Sequence, residues 1–283
     1  MADNRWLWFE ENFETQEGRT LRIAVKDVLE VKQSSFQKIE MYETVCFGKM
    51  LVHDGVIMLT EYDNFAYHEM IAHVPMLVHP SPKRVLIVGG GDGGTLKEVL
   101  KHRTVTEVVM CEIDEEVISV CKRHFPEFAP GFEDERFTLV VDDAAKYIQS
   151  KKEYFDVICV DSSDPIGPAE VLFKKKFYQD LHDALTVDGI AVTQSESMFY
   201  HKDFVAKLCV QNREIYHHAG YYYTLVPTYP SGTIGFSFCS KRYGPFENLS
   251  DERIDNLGTL KYYSASVHKA SFTLPVFMQR ALD

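Results

Sequence analysis

From Val85 onward the chain alternates short apolar runs with stretches of helical spacing. Val85–Val88, Val105–Cys111, Phe137–Val141, Phe155–Val160 and Gly189–Thr193 read as strands. Thr95–His102, Glu115–Phe125, Ala144–Ser150 and Lys174–Leu185 read as the helices between them. Strands separated by helices cannot pair as hairpins, so the pattern predicts right-handed crossovers and a parallel sheet. A further helix, from about His201 to Arg213, precedes Tyr221–Val226 and Gly235–Ser240. These last two strands have no helix between them, which predicts an antiparallel hairpin closing the sheet.

The first part of the chain reads differently. Leu21–Val25, Gln37–Tyr42 and Lys49–His53 alternate or are rich in β-formers, and Asp54-Gly55 separates the third from Val56–Leu59. Asp-Gly between two such runs is a hairpin signal. Asn64–Val78 then has helical spacing, with Phe65, Met70, Ile71, Val74 and Leu77 largely on one side. His79-Pro80-Ser81-Pro82 ends it, because proline cannot continue a helix. The expected fold class is therefore α/β. A small N-terminal antiparallel β domain (residues 1–63) precedes a mostly parallel, Rossmann-like sheet flanked by helices (64–283). The closing hairpin is a feature of methyltransferase-like sheets more than of dehydrogenase sheets.

Bulk properties narrow the setting. A chain of 283 residues buries a full core as one large domain or two unequal ones. Its net charge of −12 argues against a nucleic-acid surface, which needs a basic face. None of the six cysteines forms a Cys-x-x-Cys, and Cys111 and Cys159 sit inside apolar runs, so reduced, buried thiols are expected rather than a zinc site. The N-terminus lacks a basic stretch followed by an apolar core. No apolar segment approaches the roughly 18 residues that span a bilayer. The expectation is a cytoplasmic protein without a membrane partner.

Two loops carry candidate chemistry. Gly89-Gly90-Gly91-Asp92-Gly93-Gly94 satisfies G-x-G-x-x-G between a strand and a helix. Glu112 closes the next strand, at the spacing where an acid takes ribose hydroxyls. Without a ligand the loop would be only a tight strand-to-helix turn. It lacks Gly-Lys-Ser/Thr, so it is not a Walker A loop. Asp92 inside the turn would repel a pyrophosphate and attract an ammonium or sulfonium. The loop thus favours an adenosyl-sulfonium ligand over NAD. Asp142-Asp143 ends the third strand; Asp143 suits an adenine contact, a helix N-cap, or both.

The second loop, Asp161-Ser162-Ser163-Asp164-Pro165-Ile166-Gly167-Pro168, follows the fourth strand. Asp-Pro is a common turn dipeptide, so both acids have a bland reading as turn formers. Their chemical reading starts from an amine. An alkylammonium has no lone pair, so an attacking amine needs a group that takes its proton and holds it in line. One carboxylate does that, and a second holds a distal ammonium.

Four stretches carry a close resemblance to a known family. They are Val85–His102 (VLIVGGGDGGTLKEVLKH), Cys111–Asp114 (CEID), Asp156–Phe173 (DVICVDSSDPIGPAEVLF) and Pro227–Phe236 (PTYPSGTIGF). Trp8-Phe9, Tyr67-His68-Glu69-Met70, Lys261-Tyr262-Tyr263 and His268-Lys269-Ala270 also match. The chain resembles the polyamine aminopropyltransferases over nearly its whole length. The resemblance implies transfer of an aminopropyl group from decarboxylated S-adenosylmethionine to putrescine, giving spermidine and 5′-methylthioadenosine. It implies a homodimer or a tetramer; the sulfonium is already a good leaving group, so no metal and no cofactor beyond the co-substrate are expected.

Residue roles follow by the same resemblance. Asp161 would deprotonate the attacking amine, with Tyr67 and Tyr229 lining the amine channel and Gln194 beside them. Asp164 would hold the diamine, and Asp92 the aminopropyl ammonium. Glu112 would bind the ribose, and Asp143 with Ala144 the adenine. Gln37, His68 and Pro168 would complete the thioadenosine pocket, Ser162 and Ser163 would line the site, and Trp8 would flank its far end. Tyr62, Ala144 and Thr233 depart from the usual pattern, as does Ser195-Glu196-Ser197-Met198. They leave the acceptor open among putrescine, cadaverine, agmatine and spermidine.

Two other classes compete. A methyltransferase on the same sheet would have no aminopropyl ammonium for Asp92 to meet. A non-enzymatic binding relative would not need Asp161 and Tyr67 together. Weaker features have bland readings. His68 and His73, and the adjacent His217 and His218, lack a third ligand at metal spacing. Tyr221-Tyr222-Tyr223 reads as a strand with one buried face, and Lys174-Lys175-Lys176 as a solvated helix start. The aromatics among Trp6, Trp8, Phe9 and Phe13 suit a dimer contact or the amine-site wall.

Overall fold

The structure is a computed structural model that describes residues 6–12, 17–164 and 167–282, without the side chains of residues 167–169. Its chain divides into two units: Met1–Asn64 with Val226–Thr233, and Phe65–Leu225 with Ile234–Asp283. A boundary at residue 63 therefore misses a return of the chain to the first unit over Val226–Thr233.

The first unit is an antiparallel sheet whose strands lie in chain order: β1 (Leu7–Glu10), β2 (Arg22–Gln33), β3 (Lys38–Thr44), β4 (Lys49–His53) and β5 (Val56–Thr60). Asp54 (φ 50°) and Gly55 (φ 83°) both adopt the left-handed backbone that a two-residue hairpin turn requires. Ile23, Met50, Val52 and Ile57 form a buried cluster. Two stretches, β1 and the second half of β2, carry no readable alternation. Leu7, Trp8, Val28 and Val31 are exposed there, and backbone pairing to β2 and β3 holds those strands instead. Thr228 fastens the returning segment, donating its N–H (2.8 Å) and its hydroxyl (2.8 and 2.9 Å) to the Asp63 carboxylate.

The second unit is a seven-stranded sheet in the order β11-β12-β10-β9-β6-β7-β8. Its strands are β6 (Arg84–Gly89), β7 (Glu107–Glu112), β8 (Phe137–Val141), β9 (Phe155–Asp161), β10 (Leu185–Gln194), β11 (His218–Leu225) and β12 (Thr233–Ser240). From β8 to β10 every pairing is parallel, and β12 runs antiparallel to β10. The helices are α1 (Asn64–Val78), α2 (Gly94–Leu100), α3 (Glu115–His124), α4 (Ala144–Gln149), α5 (Lys175–Ala184) and α6 (Lys202–Arg213). Three short ones follow: α7 (Asp251–Asp255), α8 (Ala265–Ser271) and α9 (Val276–Leu282). Strand β10 begins at Leu185, before an irregular register up to Ile190, so the preceding helix ends at Ala184.

Strands β6, β7 and β9 are buried on both faces, as continuous apolar runs require, whereas the edge strand β8 leaves Leu139 and Val141 exposed. On one face Leu86, Val88, Ile158 and Val160 share a core with Phe177, Tyr178 and Leu181 of α5. On the other, the Cys159 thiol donates to the Ile71 carbonyl of α1 at 3.6 Å. That carbonyl lacks its usual helical donor because residue 75 is proline. Helix α1 is buried on all sides from Ala66 to Val78, not only along the expected stripe.

The end of the chain clamps α1. Arg253 donates to the carbonyls of Met76, Leu77 and His79, each at 2.8 Å, and Asn248 donates to that of Val78 at 2.9 Å. Consecutive N–H groups of Lys261, Tyr262 and Tyr263 converge on the buried Glu69 carboxylate at 2.8, 2.9 and 2.7 Å. A cation on the last carbonyls also suits the helix dipole.

One surface reading changes and one holds. Tyr221 and Tyr222 are both buried, so that strand is covered on both faces. The exposed lysines 174, 175 and 176 are paired with Glu170, Glu214 and Asp180. All six cysteines are free thiols, and only Cys46 is exposed.

Replacing Arg253 with Met removes charged donors from three helix-end carbonyls. We expect a loss of about 2 kcal/mol or more, read as a lower urea midpoint.

Candidate active site

The sheet order reverses between β6 and β9, and ligands bind beyond the carboxyl ends of strands at such a point. Gly89 pairs in register with Asp161 there. The Gly90 N–H donates to the Asp161 carbonyl at 2.9 Å. Gly89 (φ 75°) needs glycine twice over, for its left-handed backbone and because a Cβ would strike that same carbonyl. The two sequence loops thus lie side by side on one rim.

Asp92 occupies the start of α2. Its Oδ1 accepts from the Gly94 N–H at 2.6 Å and lies 3.1 Å from His68 Nε2. The helix N-terminus, a natural anion site, is therefore filled by the chain's own carboxylate. At the end of β7, Glu112 accepts from the Asp114 N–H at 2.9 Å. Burial pushes its carboxyl up to about 7, against the backbone N–H groups of Asp114, Ile113 and Gly91. Asp143 caps α4, accepting from the Ala145 N–H at 2.9 Å, and Ala144 joins the core beneath.

Asp161 lies at the centre. Tyr67 donates its hydroxyl to Oδ1 at 2.8 Å, and Thr95 donates to Oδ2 at 2.6 Å. Burial, then the nearby charge of Asp92, pushes the Asp161 carboxyl up to about 6, while His68, Thr95 and Tyr67 pull the other way. Burial opposes an imidazolium at His68, but Asp92, Asp161 and Glu98 together outweigh it and raise its pKa. One polar atom from each of His68, Asp92 and Asp161 lies within 4.8 Å of the other two; no other such trio occurs among the described residues. The three can share one cationic guest.

Farther along the loop, Asp164 Oδ1 accepts from Gln194 Nε2 at 3.2 Å. Gln194 is buried, and its Oε1 has no partner among the described residues; the same holds for Ser162 Oγ. An unpaired buried acceptor is costly, and a donor in the site would satisfy it. Ser163 is exposed. The Pro168 side chain lies outside the described residues.

Trp8, Gln37 and Tyr229 belong to the first unit. Trp8 is exposed under the Arg22 guanidinium, Gln37 closes the turn before β3, and the Tyr229 hydroxyl donates to the Met58 carbonyl at 2.7 Å. Their assignment rests on resemblance.

Two residues escaped the sequence reading. Thr95 looks like an ordinary helix residue, and only the packing of α2 brings its hydroxyl to Asp161. Glu196 follows Gln194 just past the end of β10. It is buried, has a left-handed backbone (φ 64°), and its Oε1 has no partner among the described residues. A strained non-glycine residue at a rim points to function. Its signal was the departure already noted at Ser195–Met198.

Known proteins resemble the whole chain. A family model described as the spermine/spermidine synthase domain matches residues 64–250, and one described as the spermidine synthase tetramerisation domain matches residues 7–61. A polyamine aminopropyltransferase of Leptospira biflexa is 49% identical, with 96% of each chain covered. A spermidine synthase of Dictyostelium discoideum is 43% identical over 98% of this chain and 97% of the relative. A crystal structure of spermidine synthase in complex with the transition state analogue AdoDATO superposes with a TM-score of 0.94 at 38% identity, covering 99% of this chain and 96% of the other.

A Cβ at Gly94 would fall within the His68 ring. Gly94→Ala must shift either α2 or His68, so kcat/KM should fall about 100-fold, in the range for a displaced catalytic group. Circular dichroism should show the fold retained, and steady-state kinetics should show the loss.

Proposed function

This chain belongs to the spermine/spermidine synthase family, and on that premise we propose that it makes spermidine. It transfers the aminopropyl group of decarboxylated S-adenosylmethionine to putrescine, leaving 5′-methylthioadenosine. The observation that carries this reading is Asp161: a half-buried carboxylate oriented by Tyr67 and Thr95 and set beside Asp92 and His68.

The reaction is a displacement at carbon. The amine lone pair forms a C–N bond to the aminopropyl carbon next to the sulfonium. The C–S bond breaks, its electrons stay on sulfur, and the neutral thioether leaves. The amine must give up a proton, and Asp161 takes it. A carboxyl held near 6 suits that work: it is ionised at neutral pH yet more basic than an ordinary aspartate. Tyr67 and Thr95 fix its two oxygens, so its lone pairs point in set directions.

Asp92 would hold the aminopropyl ammonium, Glu112 the ribose hydroxyls, and Asp143 with Ala144 the adenine. Asp164, with the Oε1 of Gln194, would grip the diamine. The sulfonium is already a good leaving group. Alignment, proton removal and exclusion of water therefore suffice, and no metal or redox group is called for.

Residues 7–61 would mediate self-association into a homodimer or tetramer. The exposed Leu7, Trp8, Val28, Leu29 and Val31 support this. Among the described residues no helix is long and apolar enough to cross a membrane. The free thiols suit the reducing cytoplasm.

Incubation with decarboxylated S-adenosylmethionine and putrescine should yield spermidine and methylthioadenosine in equal amounts. Methylation from S-adenosylmethionine without either product would defeat the reading. Asp161→Asn should lower turnover by about 100-fold or more, the scale of a lost general base. Because Asp161 acts ionised, kcat/KM should fall as pH drops through about 6, losing about tenfold per unit below it. A flat profile from neutral to acid would exclude Asp161 as the base.

A further inference from the structure

His68 lies in a ring of carboxylates. It is 3% exposed, and its Nε2 faces Asp92 Oδ1 at 3.1 Å. Asp161, at the end of β9, completes the trio within 4.8 Å. From α2, Glu98 adds a third negative charge, but it is already matched by Lys101 at 2.6 Å and His73 at 3.0 Å. Thr95, also from α2, is turned to Asp161. The remaining neighbours of the ring are uncharged: Tyr67 and Phe128 meet it edge-on, and Gly94 packs against it. The Lys97 amine sits over Phe128, 5.3 Å from that ring's centre.

Two carboxylates this close, each partly shielded from solvent, repel each other unless a cation sits with them. Resting on the aminopropyl-transfer reading, we infer that His68 is an exchangeable counter-ion. Its imidazolium neutralises Asp92 and Asp161 until the co-substrate's ammonium takes its place at Asp92, whereupon the imidazole gives its proton to solvent.

The direction of the exchange follows from proton affinities. Ammonium and imidazolium would otherwise share one half-buried carboxylate, and like charges disfavour that. An alkylammonium holds its proton with a reference pKa of about 10.4, an imidazole with about 6.5. The imidazole therefore yields. Once neutral, it accepts from the ammonium or keeps donating to Asp92, so no buried polar atom is stranded. The raised pKa of His68 agrees with a charged ring before the exchange. Protons and co-substrate then compete, and affinity for the co-substrate increases with pH through the His68 transition.

Isothermal titration calorimetry of the full-length protein, in paired buffers of different ionisation enthalpy, counts the protons. Decarboxylated S-adenosylmethionine should release a measurable fraction of a proton per molecule at about pH 7, falling towards zero as the pH is raised above the His68 transition. Methylthioadenosine, which carries the same ribose and adenine but no ammonium, should release none. His68→Gln should bind the co-substrate without release. Binding with no proton released at neutral pH would overturn the inference. Equal release by methylthioadenosine would also overturn it, as would release that survives in His68→Gln. Co-substrate that fails to bind the unaltered protein would instead remove the transferase reading itself. The methylthioadenosine arm does not depend on the variant folding.

Discussion

The site depends on one parallel pairing, that of β6 with β9. It sets Gly89 opposite Asp161 and hangs the Gly90 N–H on the Asp161 carbonyl. No side chain fits between these backbones at Gly89. The glycine loop therefore approaches closely, and Asp92 comes within reach of both Asp161 and His68. At this switch point the α2 N-terminus, a position that suits phosphates, is already filled by the Asp92 carboxylate.

A carboxylate pair partly withdrawn from solvent is expensive, and its surroundings hold it in place. Tyr67 and His68 reach it from α1, and Thr95 reaches it from α2. Helix α1 is itself fixed by contacts remote in sequence. Glu69 is gripped by three backbone N–H groups near the end of the chain, and Arg253 covers its last carbonyls. The C-terminal segment thus acts on the chemistry without touching it. Burial makes Asp161 basic enough to take a proton, and its two hydroxyl donors keep it aimed.

Much of this was legible along the chain. Strand-glycine-helix at Val85–Gly94 and strand-carboxylate at Phe155–Asp161 are local patterns. Their alternation with helices dictates a parallel sheet that brings both to one rim. Asp92 within a glycine turn could be read as cation-seeking without coordinates of any kind. The unread parts lack a local signal. Strand β1 and the end of β2 bury no face, so they show no period. Helix α1 is covered on every side, so its apolar positions exceed one stripe. The return of Val226–Thr233 to the first unit rests on a bond between Thr228 and a residue far away in sequence, Asp63.

The amino-acid order by itself determined the elements of the parallel sheet, the family and the residue types at the rim. Backbone propensity, apolar period and glycine placement are all short-range. Tertiary structure alone decided which side chains share a charge. It turned Thr95 onto Asp161, brought His68 close to two carboxylates, and left Oε1 of Gln194 and of Glu196 without a partner among the described residues. Proton affinity and hydrogen-bond satisfaction depend on burial and on neighbours a few ångströms away, and only the folded chain supplies those.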